Sequence, residues 1–533
     1  MKLIFRGHDD RYAVEQSLLA FFPEERPVYK PAEEGEDHAL VTLSRSPRFN
    51  TAVTTITYHG RTARGISRTA VDPQLTEYEA ERLRQKAVKL SFFKAAREIT
   101  GITPSWGALT GIRPGKLASR MLEEGMTERQ VDRVLRDTYF VSPERRRLCI
   151  ETAEASRRAK AELKPEDISL YVGIPFCPTR CAYCSFVSQS VERTLGLVEP
   201  YLEVLHREIT DAARMVQETG LHIKSFYMGG GTPTTLSTDQ MDRLLTHLNR
   251  SFDLSGCAEY CIEAGRPDTI DREKLQVLLD HGVDRISVNP QSLEDHVLTA
   301  IGRRHTARDV EEAMALATGM GFPHVNMDLI AGLPYEDYDR FRQSFNDVYQ
   351  MEPEQLQLGF LKVLKGSRMY DMAETYGIVY RKKAPYEVLK TDWMSYDDIL
   401  KLKGVEEMVE IYYNSHQFEQ SVTYLMHFYK APFDFFEDLA AFYEQCGFGK
   451  VQHGRMQRYD ILLQFAEKRH LGKVVNDMAA ADKKKDIQEV HGDAIEILKA
   501  TMLYDLYARE NLKSRPEWAH EILYRPLCED FYR

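Results

Sequence analysis

The stretch "SLYVGIPFCPTRCAYCSF" (Ser169–Phe186) starts as a strand of β-favouring residues and runs into three cysteines, Cys177, Cys181 and Cys184. In parallel α/β proteins the loops leaving the carboxyl ends of the strands converge on one mouth, so chemistry-bearing residues are expected there. Five further apolar runs follow: "SFYMGGG", "EYCIEAG", "RISVNPQS", "HVNMDLIAG" and "LQLGFLKV". Every gap between them has room for a helix and a return, which is a repeated βα unit. Six such units predict an α/β fold with a partial (β/α)6 TIM-type barrel, short of the full eight strands.

The special residues fall at the predicted strand ends. The second run ends in Gly229, Gly230, Gly231, Thr232 and Pro233, and the third at Glu263. The fourth ends at Asn289 and Gln291, and the fifth carries Asp328. One site assembled from five strands accounts for all of them.

Working outward, residues 1–165 read as an N-terminal α+β accessory module. "KLIFRG", "HALVTLS" and "AVTTITYHG" are its expected strands, and long charged helical stretches are expected from about 76 and about 128. "WGALTGIRPGKL" between those helices is a Gly- and Pro-punctuated turn. The barrel is expected over 166–395 and a C-terminal helical domain over 396–533, in stretches such as "DDILKLKGVEEMVEIYY". At 533 residues, two or three domains with sizeable cores are expected.

The formal charge of −11 argues against a nucleic-acid partner. Arg145, Arg146 and Arg147 form a local basic cluster and read as a solvated helix face. "MKLIFRGHDD" is too short in apolar residues for a secretory signal, and no membrane-spanning run follows, so a cytoplasmic protein without membrane contact is expected. Eight cysteines in such a chain point to metal binding over a disulfide framework.

Thiolates are soft ligands suited to zinc or iron–sulfur clusters. A structural zinc site closes with four ligands, for which His281 or His305 would have to supply the fourth. A [4Fe-4S] cluster on three cysteines leaves one iron open to a small molecule. Cys257 and Cys261 read as core thiols, and Cys149, Cys446 and Cys528 have no ligand-like neighbours.

The CxxxCxxC spacing with Tyr183 before the third cysteine resembles the signature of radical S-adenosylmethionine (SAM) enzymes. The resemblance implies a [4Fe-4S] cluster on Cys177, Cys181 and Cys184. S-adenosyl-L-methionine would chelate the open iron, and an electron from a low-potential donor such as flavodoxin or ferredoxin would cleave its sulfonium. It also gives the Gly-Gly-Gly-Thr-Pro turn, through Gly230, Gly231 and Thr232, to the methionine amino group, with glycine backbone free to approach closely.

More narrowly, residues 168 to about 334 resemble the oxygen-independent coproporphyrinogen III dehydrogenase group. "YVGIPFC" is similar to that group's opening, with Tyr171 at the position of a cofactor-contacting tyrosine. Glu263 in "CIEAGRP", Gln291 in "ISVNPQS", Arg303 in "IGRRHT" and Asp328 in "DLIAGLP" follow in the group's order. The resemblance implies that Arg303 pairs the SAM carboxylate and that Glu263, Gln291 and Asp328 accept from amino or ribose hydroxyl groups. The N-terminal module with "GALTGIRPGKL" is similar to the longer variants of the group. A small-molecule substrate, a tetrapyrrole whose propionates become vinyls, follows from the resemblance. So does its alternative, a heme-binding or heme-transfer protein on the same scaffold.

Two departures stand out. Gly173 occupies a position where relatives often carry histidine, which alters one pocket wall. After "DLIAGLP" the chain is similar instead to the C-terminal half of cobalamin-associated radical SAM proteins that end in a helical domain of unknown function. It lacks both their Asp-x-His-x-x-Gly signature and the His-Asn-x-x-Tyr-Trp segment of the heme-transfer relatives. A different substrate set by this tail is the third expectation.

Overall fold

Six parallel strands hydrogen-bond in strict chain order: Asp167–Ile174, His222–Gly230, Glu259–Glu263, Arg285–Gln291, His324–Ala331 and Gln355–Phe360. The first and sixth do not pair, so the sheet is an open arc, the partial barrel expected. A computed structural model describes the chain except for residues 23, 34, 110–112, 162, 451–452, 471–486, 509–515 and 520–533. Residues 110–112 of the "GALTGIRPGKL" turn and Cys528 therefore lie outside the described residues.

The strand period of two decides which side chains meet the helices. In the fifth strand Val325, Met327, Leu329 and Ala331 are buried, while Asn326 and Asp328 alternate onto the other face. The buried set is continuous with helix residues such as Leu244 and Leu248 of Thr238–Ser251, and Phe341 and Phe345 of Tyr338–Gln350. Burying each such side chain contributes about 1.5–3 kcal/mol. Capping boxes start the helices cleanly, Ser237 with Gln240 and Thr306 with Asp309.

The fourth strand is irregular. Its register to the fifth shifts between Val288 and Gln291, where Pro290 has no N–H to give the ladder. Gln291 emerges at φ 70°, in the left-handed region that a glutamine seldom occupies.

The chain beyond the point where its resemblance changes is built into the same core. The sixth strand pairs with the fifth from Gln355 opposite Asn326 to Phe360 opposite Ala331. Asn414 accepts from Leu356 N at 2.9 Å and donates to Leu356 O at 3.0 Å, clamping that strand from the helix end. Among the described residues the longer helices that follow are Tyr396–Tyr412, Glu419–Met426, Pro432–Cys446, Arg455–Phe465 and Ile487–Tyr507.

Contacts divide the chain into two units, Met1–Pro165 with Lys382–Ala384, and Glu166–Arg381 with Pro385–Arg533. The first holds a four-stranded sheet, Lys2–Arg6, His38–Arg45, Phe49–Tyr58 and Arg61–Ala70, in that order. Its last strand has no apolar stripe because it buries Ala63, Gly65 and Ser67. A Cβ on Gly65 would sit 2.0 Å from Ser91 O, so helix Glu77–Thr100 packs directly on strand backbone. The helical stretch expected from about 128 is two helices, Glu128–Asp137 and Pro143–Lys160, broken where Phe140 takes φ 58°. Arg146 is not simply solvated: its Nε donates to Asp132 at 2.6 Å and its Nη1 to Val141 O at 2.9 Å. Among the described residues no helix is long and apolar enough to cross a membrane.

Candidate functional site

The loop carrying the three cysteines leaves the first strand and is tied down from several sides. Ala182 N donates to Ile301 O and Met369 N to Ala182 O, both at 2.8 Å, and Thr179 Oγ1 donates to Gly302 O at 2.7 Å. All three thiols are free. Each sulfur has a polar neighbour: Thr232 Oγ1 donates to Cys177 Sγ at 3.5 Å, Arg266 Nη1 to Cys181 Sγ at 3.7 Å, and Ser188 Oγ lies 3.9 Å from Cys184 Sγ. Burial alone would raise the Cys181 thiol, but the Arg303 and Arg266 charges outweigh it and hold the thiol below its ordinary value.

The glycine turn after the second strand lies against this loop. Gly231 N donates to Ile174 O at 2.8 Å and Thr232 N to Phe176 O at 2.7 Å. A Cβ on Gly231 would stand 2.5 Å from Phe176 O and 2.8 Å from Phe176 C. Glycine is required there because two backbones touch, so the N–H groups of Gly231 and Thr232 serve the chain itself.

Beside the cysteines lies a buried polar group that joins their own loop, through Tyr183, to Gln291 at the end of the fourth strand, Arg303 further along and Asp328 in the fifth strand. Arg303 is 8% exposed; its Nη1 donates to Asn289 O and, at 3.4 Å, to Gly265 O, and its Nη2 donates to Tyr183 OH at 3.2 Å. Tyr183 in turn donates to Gln291 Oε1 at 2.9 Å. Burial drives the Asp328 acid up to about 6, with Gln291 and Arg303 pulling it the other way. Three buried atoms here have no hydrogen-bond partner: Arg303 Nε, Gln291 Nε2 and Asp328 Oδ1. Such atoms cost about 1–3 kcal/mol each when left unsatisfied, so their grouping forms a buried polar surface suited to a polar ligand.

Tyr171 and Glu263 belong to the neighbouring part of the same face. Tyr171 is 60% exposed and its ring stacks on Tyr227, centroids 6.0 Å apart. Tyr227 OH donates to Glu263 Oε1, and burial raises the Glu263 acid. Glu263 stands near enough to Asp328 for its charge to raise that acid further. The structure thus groups Cys177, Cys181, Cys184, Tyr183, Thr232, Gln291, Arg303 and Asp328, with Glu263 alongside, and leaves Tyr171 at the open rim. Arg304 turns away to Glu192.

Sequence reasoning missed four members of this neighbourhood. Arg266, 2% exposed, donates to Thr179 O at 3.2 Å and Thr179 Oγ1 at 3.0 Å as well as to Cys181. Beside it, burial opposes but His305 and Arg266 prevail, holding the Asp268 acid at about 2. Tyr227 is the third, and Glu336 the fourth. Glu336 is fully buried, takes a hydrogen bond from Ser292 Oγ at 2.5 Å, and is raised to about 8 by burial. Arg266 was visible inside "CIEAGRP"; nothing in the sequence singled out Tyr227 or Glu336.

For a closed single-ion site, no three His, Cys, Asp or Glu side chains converge on one position among the described residues. His281 is occupied elsewhere, its Nε2 2.8 Å from Asp242 Oδ1 and its Nδ1 3.2 Å from Asn249 Nδ2. Cys261 is buried, and burial pushes its thiol up to about 12; Cys257 donates to Ile223 O at 3.6 Å.

Comparison with known proteins adds three findings. The pattern of the radical SAM superfamily matches residues 171–348, and that of a protein of unknown function, DUF4080, matches residues 374–531. The oxygen-independent coproporphyrinogen-III oxidase-like protein HemZ of Bacillus subtilis is 35% identical over 380 residues, 70% of this chain and 76% of the relative. The heme chaperone HemW of the same organism is 34% identical over 211 residues, 39% of this chain and 53% of the relative. Among solved structures, coproporphyrinogen III oxidase of Escherichia coli matches with a TM-score of 0.38 and 27% identity, over 47% of this chain and 54% of that one. The chain thus spans about three quarters of the first relative and about half of the other two.

Proposed function

Because the chain belongs to the family of radical SAM proteins related to oxygen-independent coproporphyrinogen III oxidase, we propose that it performs the oxidative decarboxylation of coproporphyrinogen III propionates. Members carry a [4Fe-4S] cluster and S-adenosyl-L-methionine, which together supply a one-electron reductive cleavage of the sulfonium and so a hydrogen-abstracting agent. Removing a hydrogen atom from a propionate chain, with loss of carbon dioxide and transfer of the second electron to a one-electron acceptor, would leave a vinyl group. A low-potential donor such as flavodoxin or ferredoxin supplies the initiating electron.

Cys177, Cys181 and Cys184 hold the cluster in this reading. The fit rests on three free thiols on one tethered loop, each beside a hydroxyl or guanidinium group. Arg303 binds the carboxylate of S-adenosylmethionine. Gln291, Asp328 and Glu263 take its amino and ribose hydroxyl groups. The glycine turn of Gly230, Gly231 and Thr232 takes the cofactor's ammonium, a donor for which backbone carbonyl oxygens are the fitting partners. Tyr171 packs against it from the exposed rim. The observation that carries the assignment is the set of partnerless atoms, Arg303 Nε, Gln291 Nε2 and Asp328 Oδ1, buried behind the cysteine loop.

Support for a multiply charged substrate comes from the sixth strand's exit. Lys362, Lys365 and Arg368 are exposed there, and the next residue, Met369, is hydrogen-bonded to Ala182 in the cysteine loop. Substrate carboxylates bound by these cations would lie at the cofactor's open side. The second reading is a heme-binding or heme-transfer protein, favoured by the heme chaperone relatives over the same core. Anaerobic reconstitution followed by product analysis separates them. Turnover of coproporphyrinogen III to a vinyl product with release of carbon dioxide supports the enzyme; a stoichiometric heme complex without turnover supports the second reading.

A further inference from the structure

Within the Met1–Pro165 unit, three helices turn cations toward one hollow of about 930 Å³. Helix Glu77–Thr100 supplies Arg82 and Lys89 two turns apart on one face, and helix Pro114–Glu123 supplies Lys116 and Arg120 at i,i+4. Arg11 and Arg113 complete the ring from the start of helix Arg11–Phe21 and from the residue preceding Pro114. The hollow shares Arg82, Lys89 and Arg120 with a second one of about 460 Å³.

The acids in the wall do not balance these cations. Asp9 pairs with Arg11 and Asp10 with His8, while Glu81 takes a hydrogen bond from Gln85. Among the described residues Arg82, Arg113 and Lys116 have no carboxylate within ion-pair distance, and Arg120 has only a loose contact with Glu124 at 3.8 Å. Burial holds the half-buried Lys89 ammonium below the ordinary lysine value. Helix Pro114–Glu123 begins here with no side-chain cap and no acid in the first turn, so its positive end adds to the field of the side chains, whereas Asp9 and Asp10 flank the start of helix Arg11–Phe21.

We propose that this hollow is a binding site for an organic polyanion, a small molecule carrying several carboxylates or phosphates. The site is separate from the cysteine-bearing one and does not depend on the function proposed above. Its volume suits a ligand of cofactor size and far exceeds a single phosphate. Exposed Tyr12 and Tyr78 line the same wall and offer flat apolar surface to a ring-bearing anion.

The test is calorimetric titration of the full-length protein at low salt with tripolyphosphate and, separately, with the tetracarboxylate coproporphyrin III. Micromolar binding of at least one is expected, weakening steeply with added salt, and the tighter of the two names the anion class. Reversing two charges in Lys116→Glu/Arg120→Glu should weaken that binding by about tenfold or more. Arg82→Glu, on a different helix, should weaken it as well, whereas Arg214→Glu, an exposed charge change outside the hollow, should leave it unchanged. Binding no tighter than millimolar for both probes would overturn the proposal. So would full retention in the double variant, or equal loss in Arg214→Glu.

Discussion

Replacing Arg303 by methionine keeps an unbranched apolar stem and removes the guanidinium with its charge and donors. The guanidinium has three internal duties, to Asn289 O, Gly265 O and Tyr183 OH, and Nε remains uncommitted. If that open edge binds the carboxylate of S-adenosylmethionine, the variant loses a charge-assisted contact of about 1.5–3 kcal/mol, a drop in affinity of roughly ten- to a hundredfold. Cys181 loses the Arg303 charge that helps hold its thiol down but keeps the Arg266 contact at 3.7 Å and its place on the tethered loop, so iron and sulfide content should survive. Anaerobic equilibrium dialysis of S-adenosylmethionine, with iron determined on the same samples, reads both quantities, and Arg303→Lys should recover part of the binding. An affinity unchanged within about twofold, with the cluster intact, would show that the carboxylate is bound elsewhere.

Other outcomes follow from the same geometry. Cys181→Ser should abolish the iron-dependent absorbance that the reconstituted wild type shows, and tight uptake of a single zinc in its place would contradict the ligand set. Gly231→Ala forces a Cβ to 2.5 Å from Phe176 O, so it should cost about 1–3 kcal/mol of stability and lower the cluster yield. Glu336, raised from an ordinary 4.5 to about 8, binds its proton more tightly folded than unfolded. Its stabilising effect is therefore complete below the ordinary carboxyl value and is lost as pH rises through about 8, a swing of about 5 kcal/mol over the window. Glu336→Gln should flatten denaturation midpoints measured from acid to mildly alkaline pH, and identical slopes in both proteins would refute the assignment.

The sequence carried the barrel because its strands have one apolar face and strand-end residues too unusual to be filler. Cysteine spacing and the glycine turn stood out in the sequence itself, whereas Arg303 was reached only through the resemblance carried by "IGRRHT". The strand Arg61–Ala70 was not, since small residues packed against a helix leave no apolar alternation to read. The break at Phe140 was hidden within a continuous charged pattern. Glycine at 231 was read as room for a ligand, yet its tightest contact is the backbone of Phe176, a fact only the paired strands reveal. Arg266 and Tyr227 act by reaching Cys181 and Glu263 from other strands, and such pairings across 85 and 36 residues have no local signature. The tail's change of resemblance gave no warning that Asn414 would clamp the sixth strand from both sides.

The most direct measurement is the yield of 5'-deoxyadenosine from the reconstituted, reduced protein given S-adenosylmethionine, set against the Cys181→Ser variant under the same conditions. The account predicts slow formation by the wild type even without a substrate, accompanied by methionine in equal amount, and none above background in the variant. Equal yields from the two proteins, or no cleavage by a wild type that holds its full complement of iron and sulfide, would contradict it.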